Sequence, residues 1–183
     1  MKTINQSMKN IILLLFGFGL SFTTCAQVGG WNPELENEAK EAMSAMIKDA
    51  PKLQSFYDKA YGTAVFPKIT KAGLLIGGAA GNGMVYKNKE VVGSSKLKQA
   101  SFGLQAGGQQ YSEVIFFENK ESFERFTNGN LKFDAQASAV AITEGASIDV
   151  AYQNGVAVFT LVKGGLMLEA SIGGQHFKYE PKK

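Results

Sequence analysis

Residues 60–86 read AYGTAVFPKITKAGLLIGGAAGNGMVY, and the glycines of this stretch decide the fold. They stand at positions 73, 77, 78, 81 and 83, after a Phe66-Pro67 pair that suggests a strand end. Glycine inside a strand marks a bulge, a tight bend or a close backbone approach. The stretch predicts a kinked β segment, because it is too apolar for a linker. Gly77, Gly78, Gly107 and Gly108 are predicted to be structural bends rather than ligand contacts.

The residues before this stretch predict two helices that pack on the sheet. Asn32 followed by Pro33 is typical of a helix start, because asparagine caps free N–H groups and proline fits the first turn. Apolar residues then recur at a spacing of three and four as far as Pro51, which ends or kinks the helix. A second, shorter apolar pattern follows, and Gly62 is a natural stop for it.

The residues after residue 62 predict antiparallel strands with one inserted helix. Strand patterns cover about residues 63–66, 73–79, 82–87, 90–95, 99–109 and 111–118, and others follow between 148 and 179. Lys87-Asn88-Lys89 and Asn154-Gly155 predict turns, the second a type I′ hairpin. Asn119 is expected to cap a short helix that buries Phe123 and Phe126. Because there is no β-α-β alternation, we predict an α+β fold: a strongly bent, half-barrel-like antiparallel β-sheet covered by the N-terminal helices and one short inserted helix.

The first 26 residues have the pattern of a secretory signal peptide. Lys2 and Lys9 form a basic region before an apolar run at 11–20, and that run suits export and is too short to span a bilayer. We therefore expect residues 1–26 to be a signal peptide, residues 27–183 to form a single domain, and the protein to reach the periplasm or cell envelope. Cys25 leaves two alternatives open: cleavage before Gln27 gives a soluble protein, and lipidation of Cys25 gives an anchored one.

Positive charge is concentrated in the glycine-rich middle of the chain. Residues 59–112 contain seven lysines and one acidic residue, whereas the whole chain has a net charge of +3. One interpretation is a solvated lysine rim that discourages edge pairing. The other is attraction to anionic lipid or a membrane surface, worth about 1 kcal/mol per lysine. The lipid-binding residues would then be Lys68, Lys71, Lys87, Lys89, Lys96 and Lys98.

The sequence contains no pattern typical of an active site or a cofactor site. His176 is the only histidine and Cys25 the only cysteine, which excludes an intramolecular disulfide and any metal site built on several of these residues. The glycines at 77–83 fit neither nucleotide-binding motif. Arg125 is the only arginine, and the lysines lack interleaved exposed aromatics, which disfavours nucleic acid as a partner. We expect a protein that is not an enzyme and carries no cofactor or metal.

Several motifs, in order, resemble the SYLF domain family. Ala64–Pro67, Lys71–Gly73, Ile76–Gly78 and Gly81–Gly83 look like its opening signature, and residues 100–109 like its next strand. The resemblance covers roughly residues 40–178. It implies a lipid-binding module of the exported bacterial type, whose ligand is an anionic phospholipid or another amphiphile.

Two further points qualify what the resemblance implies. Eukaryotic members bind phosphoinositides with a basic N-terminal helix, whereas the first helix here begins with glutamates, so phosphoinositide specificity does not carry over. The alternative function is an envelope structural or interaction protein that docks a protein partner through its glycine-rich sheet.

Overall fold

The computed structural model describes residues 32–73, 76–102, 109–131, 152–162, 165–167 and 174–183. These residues include three helices: α1 (Pro33–Asp49), α2 (Leu53–Lys59) and α3 (Lys120–Thr127). They also include seven strands: β1 (Gly62–Gly73), β2 (Ile76–Lys87), β3 (Glu90–Phe102), β4 (Gln109–Phe117), β5 (Val156–Val162), β6 (Gly165–Met167) and β7 (Gln175–Pro181). The predicted signal peptide at 1–26, Cys25, Gly107 and Gly108 lie outside the described residues.

The strands form one antiparallel sheet in the order β6-β5-β4-β1-β2-β3-β7. Strands β1, β2 and β3 follow one another as hairpins, β4 pairs with the outer side of β1, and β7 pairs with β3. The two ends of this order, β6 and β7, are not paired with each other, so the sheet is open. This arrangement confirms the predicted α+β fold with an antiparallel sheet.

The sheet is strongly curved, because side chains from distant strands meet on one of its faces. Gln175 on β7 donates a hydrogen bond from Nε2 to Oε2 of Glu113 on β4, at 3.0 Å. Three strands separate β4 from β7, which in a flat sheet would place them about 19 Å apart. The rings of Phe66 on β1 and Phe177 on β7 also lie 5.8 Å apart. We call the face on which these residues meet the concave face, and the opposite one the convex face.

Both faces of the sheet carry a hydrophobic core. On the concave face, α3 packs Phe123 and Phe126 against strand residues, and the rings of Phe126 and Phe177 are 5.2 Å apart. On the convex face, α1 and α2 bury Met43, Met46, Leu53 and Phe56 against the sheet. Successive residues of β1 alternate between the two cores, as expected from the two-residue period of a strand.

Local signals predicted from the sequence are present at the helix starts and turns. Asn32 Oδ1 accepts a hydrogen bond from the N–H of Glu34, and Asn119 forms a capping box with Ser122. Asn88 and Lys89 at one turn, and Asn154 and Gly155 at another, all have positive φ, as a type I′ turn requires. None of the helices in the described ranges is long and apolar enough to cross a membrane.

Two expectations about the glycine-rich stretch were wrong. Phe66-Pro67 does not end β1, because the strand continues through a bulge between Val65 and Lys68. Gly77 and Gly78 pair regularly with β1 and β3 and have no positive φ, so they are not bends. In addition, β2 and β3 are each a single long strand, where the sequence predicted two.

The glycine that matters at the bulge is Gly83, which lies opposite it. A Cβ atom at Gly83 would lie 2.6 Å from the Phe66 ring and 2.7 Å from the Val65 carbonyl oxygen. Real Cβ atoms do not approach other atoms so closely. The bulge therefore leaves room only for glycine at position 83.

Candidate functional site

Part of the convex face lies beyond the helices of the described ranges, and lysines line it. Pairing places Lys68, Asn82, Lys96 and Lys178 in one row across β1, β2, β3 and β7. The next row contains Thr70, Ala80, Lys98 and His176. All eight residues are exposed. We call these two rows the lysine platform.

Strand alternation explains why β3 and β7 contribute to the platform. Along β3 the exposed Lys96 and Lys98 flank the buried Leu97, and along β7 the exposed His176 and Lys178 flank the buried Phe177. A strand with one buried and one solvated face has this period of two. Each strand therefore holds the concave core with one set of side chains and presents the platform with the other.

The bulge in β1 is what brings Lys68 to the platform. In a regular strand Lys68 would share the face of Phe66, which is buried in the concave core. The extra residue reverses this alternation, so Lys68 pairs with Asn82 on the convex face. The carbonyl oxygen of Pro67, inside the bulge, accepts a hydrogen bond of 2.7 Å from the hydroxyl of Ser112 on β4.

The platform has more positive charge than its neighbours neutralise. The Glu180 carboxylate forms ion pairs with two ammonium groups, with Oε1–Nζ distances of 3.1 Å to Lys96 and 3.5 Å to Lys178. This contact with Lys96 is the main cause that lowers the pKa of the Glu180 carboxyl. Lys68 and Lys98 form no ion pair with another described residue. The platform thus offers four ammonium groups against one carboxylate.

Small side chains make the surface next to these lysines flat. Beyond the second row, the third row is formed by Ala72, Gly78 and Ala100, which are exposed and pair across β1, β2 and β3. Together with Thr70 and Ala80 they leave a sheet surface without large side chains. A flat surface with cationic groups along one side can approach another surface or an extended ligand closely.

The six lysines predicted from the sequence do not form one site. Lys68, Lys96 and Lys98 come together on the platform. Lys71 pairs with Ala79, which is buried in the concave core, so Lys71 lies on the opposite face of the sheet.

The other two predicted lysines are engaged at the far end of the β2–β3 hairpin. Lys87 Nζ lies 5.4 Å from the ring centre of Tyr61. Lys89 donates to Asp58 at 2.8 Å, and this hydrogen bond lowers the pKa of Asp58 and raises that of Lys89. Lys89 lies in the turn just before β3. Seven residues separate it from Lys96, which corresponds to about 23 Å of strand. These lysines therefore serve contacts with α2 and its C-terminal end rather than the platform.

The sequence analysis missed Lys178 and His176 as members of the platform. Both lie in β7, which is distant in sequence from the cationic middle of the chain. The alternation of residues 175–179 was a usable signal for a half-exposed strand, but the pairing of β7 with β3 was not predictable from it. Without that pairing nothing connects Lys178 to Lys96.

A groove borders the platform where α1 lies beside the bulge. Its volume is about 570 Å³. It is lined by Glu38, Glu41, Ala42, Ala45, Pro67, Lys68, Gln110, Tyr111, Ser112 and Leu161. Lys68 thus belongs to both the platform and the groove.

Buried polar side chains lie on the concave face of the sheet. Glu113 is fully buried on the concave face, and burial raises the pKa of its carboxyl to about 7, against the opposing effect of the hydrogen bond from Gln175. Its second carboxylate oxygen, Oε1, has no hydrogen-bond partner among the described residues. Over the described residues, no group of three or more His, Cys, Asp or Glu side chains could hold a metal ion.

Two comparisons with known proteins found similar sequences. Residues 98–182 match the family Ysc84, described as "Las17-binding protein actin regulator". The match includes part of β3 and all of β4 to β7. The chain is also similar to "Beta cell expansion factor A" of Aeromonas veronii, with 31% identity over 156 residues. That alignment covers 80% of this chain and 59% of the relative, so the chain spans less than two thirds of the relative's length. Residues 98–182 of the chain thus carry a Ysc84 (SYLF) domain match, which agrees with the resemblance seen in the sequence motifs.

Proposed function

We propose that this protein binds anionic phospholipid, or another anionic amphiphile, through the lysine platform and without catalysis. The observation that carries the proposal is the row of lysines from β1, β3 and β7 on one exposed, flat half of the sheet. Each lysine near an anionic surface contributes about 1 kcal/mol of attraction. Lys68 and Lys98 are the strongest contributors, because neither is neutralised by another described residue.

Helix α1 gives the interaction an orientation. Glu38 and Glu41 lie on the side of α1 that borders the platform. An anionic surface is repelled by these carboxylates and attracted by the lysines, so it is expected to approach the sheet from the end away from α1. Such attraction between exposed charges is screened over about 8 Å at physiological ionic strength. Binding should therefore weaken as salt is added.

The proposal places the protein at the cell envelope. Export would follow from the signal peptide predicted at residues 1–26, and it would bring the platform into contact with envelope lipids. Lipidation of Cys25, the second alternative at that end, would hold the platform close to a membrane. In either case the platform supplies the contact with lipid head groups.

Docking of a protein partner on the same surface is the second candidate function. The flat third row of small residues favours it, because a neighbouring sheet or an extended chain could lie against it. The family description names a protein ligand, Las17, for the family. Anionic lipid is the first choice because the unneutralised lysines favour it and the third row lacks the large anchoring side chains typical of protein hot spots.

Co-sedimentation with vesicles tests the proposal. The informative variant combines Lys68→Glu, Lys96→Glu and Lys98→Glu. The matched control combines Lys48→Glu, Lys59→Glu and Lys120→Glu, which change the net charge equally at exposed positions on the three helices. Wild-type protein should bind vesicles that contain phosphatidylglycerol and not those of phosphatidylcholine alone.

The two variants should differ strongly. The platform variant should lose at least about a hundredfold in affinity, which corresponds to about 1 kcal/mol for each of three lysines. The control should lose much less, because its charges lie off the platform. If both variants lose affinity equally, only net charge matters and the platform is not the site. If wild-type protein ignores anionic vesicles, protein docking becomes the better proposal.

A further inference from the structure

The groove beside α1 has walls of opposite charge. Glu38 and Glu41 line the helix side, and Lys68 lines the strand side, next to the bulge. The apolar Ala42 and Ala45 of α1 and Leu161 of β5 also line the groove. Helical spacing explains the first wall, since positions 38, 41, 42 and 45 follow one face of a helix. The bulge explains the second, since it directs Lys68 to the convex face.

These charges are not used for contacts within the described protein. Glu38, Glu41 and Lys68 form no ion pair with one another or with any other described residue, although they line the same groove. By contrast, other exposed charges nearby are paired, such as Lys40 with Glu36 at 2.6 Å on the same helix. A groove whose two walls carry opposite, separated charges is complementary to a ligand that carries both charges.

We propose that this groove binds the phosphoethanolamine head group of a zwitterionic phospholipid. The ammonium group would lie toward Glu38 and Glu41, and the phosphate toward Lys68. The apolar lining would receive the glycerol and the first carbons of the acyl chains. This inference rests on the proposed function in one respect, which is that the ligand is a lipid.

Charge and size both argue for this ligand over simpler ones. A purely anionic head group would be repelled by two carboxylates, and a simple cation would be repelled by Lys68. The volume of about 570 Å³ lies in the range of roughly 300–1,000 Å³ that is usual for sites of small molecules. It accommodates a head group and the start of the chains, but not a folded partner. The groove would thus select a lipid, whereas the platform responds to surface charge.

Short-chain lipids in solution test the inference without a membrane. Dihexanoyl-phosphatidylethanolamine and dihexanoyl-phosphatidylglycerol, both below their micelle concentrations, would be titrated into the protein and followed by NMR or calorimetry. The ethanolamine lipid should bind more tightly, because the glycerol head group lacks the ammonium. The double variant Glu38→Gln and Glu41→Gln should weaken binding of the ethanolamine lipid about fivefold, as expected for two exposed charge contacts.

A second variant fills the groove instead of changing its charge. Ala45→Trp at this exposed position should also weaken binding of the ethanolamine lipid. Thermal unfolding would show that both variants are folded. Equal affinity for the two lipids, or unchanged binding in both variants, would overturn the inference. Equal affinity for phosphoethanolamine without acyl chains would overturn the assignment to a lipid.

The vesicle assay separates failure of this inference from failure of the proposed function. The variant Lys96→Glu with Lys98→Glu should lose binding to anionic vesicles and keep its affinity for the ethanolamine lipid, since neither lysine lines the groove. The variant Glu38→Gln with Glu41→Gln should lose affinity for the ethanolamine lipid. Its binding to anionic vesicles should strengthen, because two repelling charges are removed. If both pairs of substitutions affect both ligands in the same direction, the groove is not an independent site.

Discussion

The concave face and the lysine platform are built from the same strands, but the side chains of the first are buried and those of the second are exposed. Along β3, Leu97 and Gln99 are buried on the concave face, and Lys96 and Lys98 are exposed on the platform. The concave face holds closely packed rings and a buried carboxyl, so each atom there has fixed neighbours. The platform holds separated charges and small side chains. At this end of β3 and β7, therefore, the packed side chains lie on the concave face and the convex face carries exposed charges.

This comparison predicts that adding a side chain on the concave face strongly lowers the free energy of unfolding, whereas substitutions on the platform do not. Gly83→Val places a branched side chain against the Phe66 ring and the Val65 carbonyl. Overpacking of this kind costs about 1–3 kcal/mol, and a clash with backbone adds to it. We expect a loss of more than about 3 kcal/mol in the free energy of unfolding, measured by chemical denaturation.

Gly78→Val is the matched control on the same strand. Gly78 is exposed on the convex face, and its nearest contact for an added Cβ is the Gln99 carbonyl oxygen at 3.2 Å. Its cost should be well below that of Gly83→Val. A result in which Gly78→Val is the more damaging of the two would restore the sequence-based assignment of Gly78 as a bend.

The second prediction concerns Glu113, the titratable group that holds β4 to β7 on the concave face. The pKa of its carboxyl is about 7 in the folded protein, against an ordinary value of 4.5. The folded state therefore favours the protonated form. The stabilising effect is complete below about pH 4.5 and is lost as the pH rises to about 7. The difference in pKa corresponds to about 3 kcal/mol.

Glu113→Gln isolates this effect, because an amide stays neutral and can still accept a hydrogen bond from Gln175. The variant and the wild type should have similar free energies of unfolding near pH 4. The variant should become the more stable of the two by up to about 3 kcal/mol at pH 8. Urea denaturation of both proteins across this pH range gives the comparison. Parallel curves would mean that the carboxyl does not titrate within the concave face.

Local features of this fold were predictable from the sequence, and long-range ones were not. The caps at Asn32 and Asn119 and the turn at Asn154-Gly155 depend on neighbours within four residues, and all were confirmed. The order of helices and hairpins also sufficed to predict an antiparallel sheet. Gly77 and Gly78, which were predicted to be bends, pair with β1 and β3 without a register shift.

The candidate site depended on information that the sequence patterns lack. Clustering of lysines in the chain suggested one patch, but strand alternation divides them between two faces and two ends of the sheet. Whether Lys68 shares a face with Lys96 depends on a single extra residue in the bulge, and a shift by one residue reverses every side chain after it. The pairing of β7 with β3, which adds Lys178, joins segments that are 84 residues apart at the Lys96–Glu180 contact.

The smallest expected effect is on the stability of the platform variant itself. Lys68, Lys96 and Lys98 are exposed, and the one ion pair among them, between Lys96 and Glu180, is solvent-accessible on both sides. Exposed ion pairs contribute about 0–1 kcal/mol, and surface substitutions usually change stability by about 0.5 kcal/mol or less. The variant with all three lysines changed to glutamate should therefore unfold within about 1 kcal/mol of the wild type. Thermal and urea denaturation at two salt concentrations would measure this, because any remaining change should shrink as salt screens the new repulsion with Glu180. A loss of several kcal/mol would show that the lysines hold the sheet together, and the separation of a structural face from a binding face would then fail.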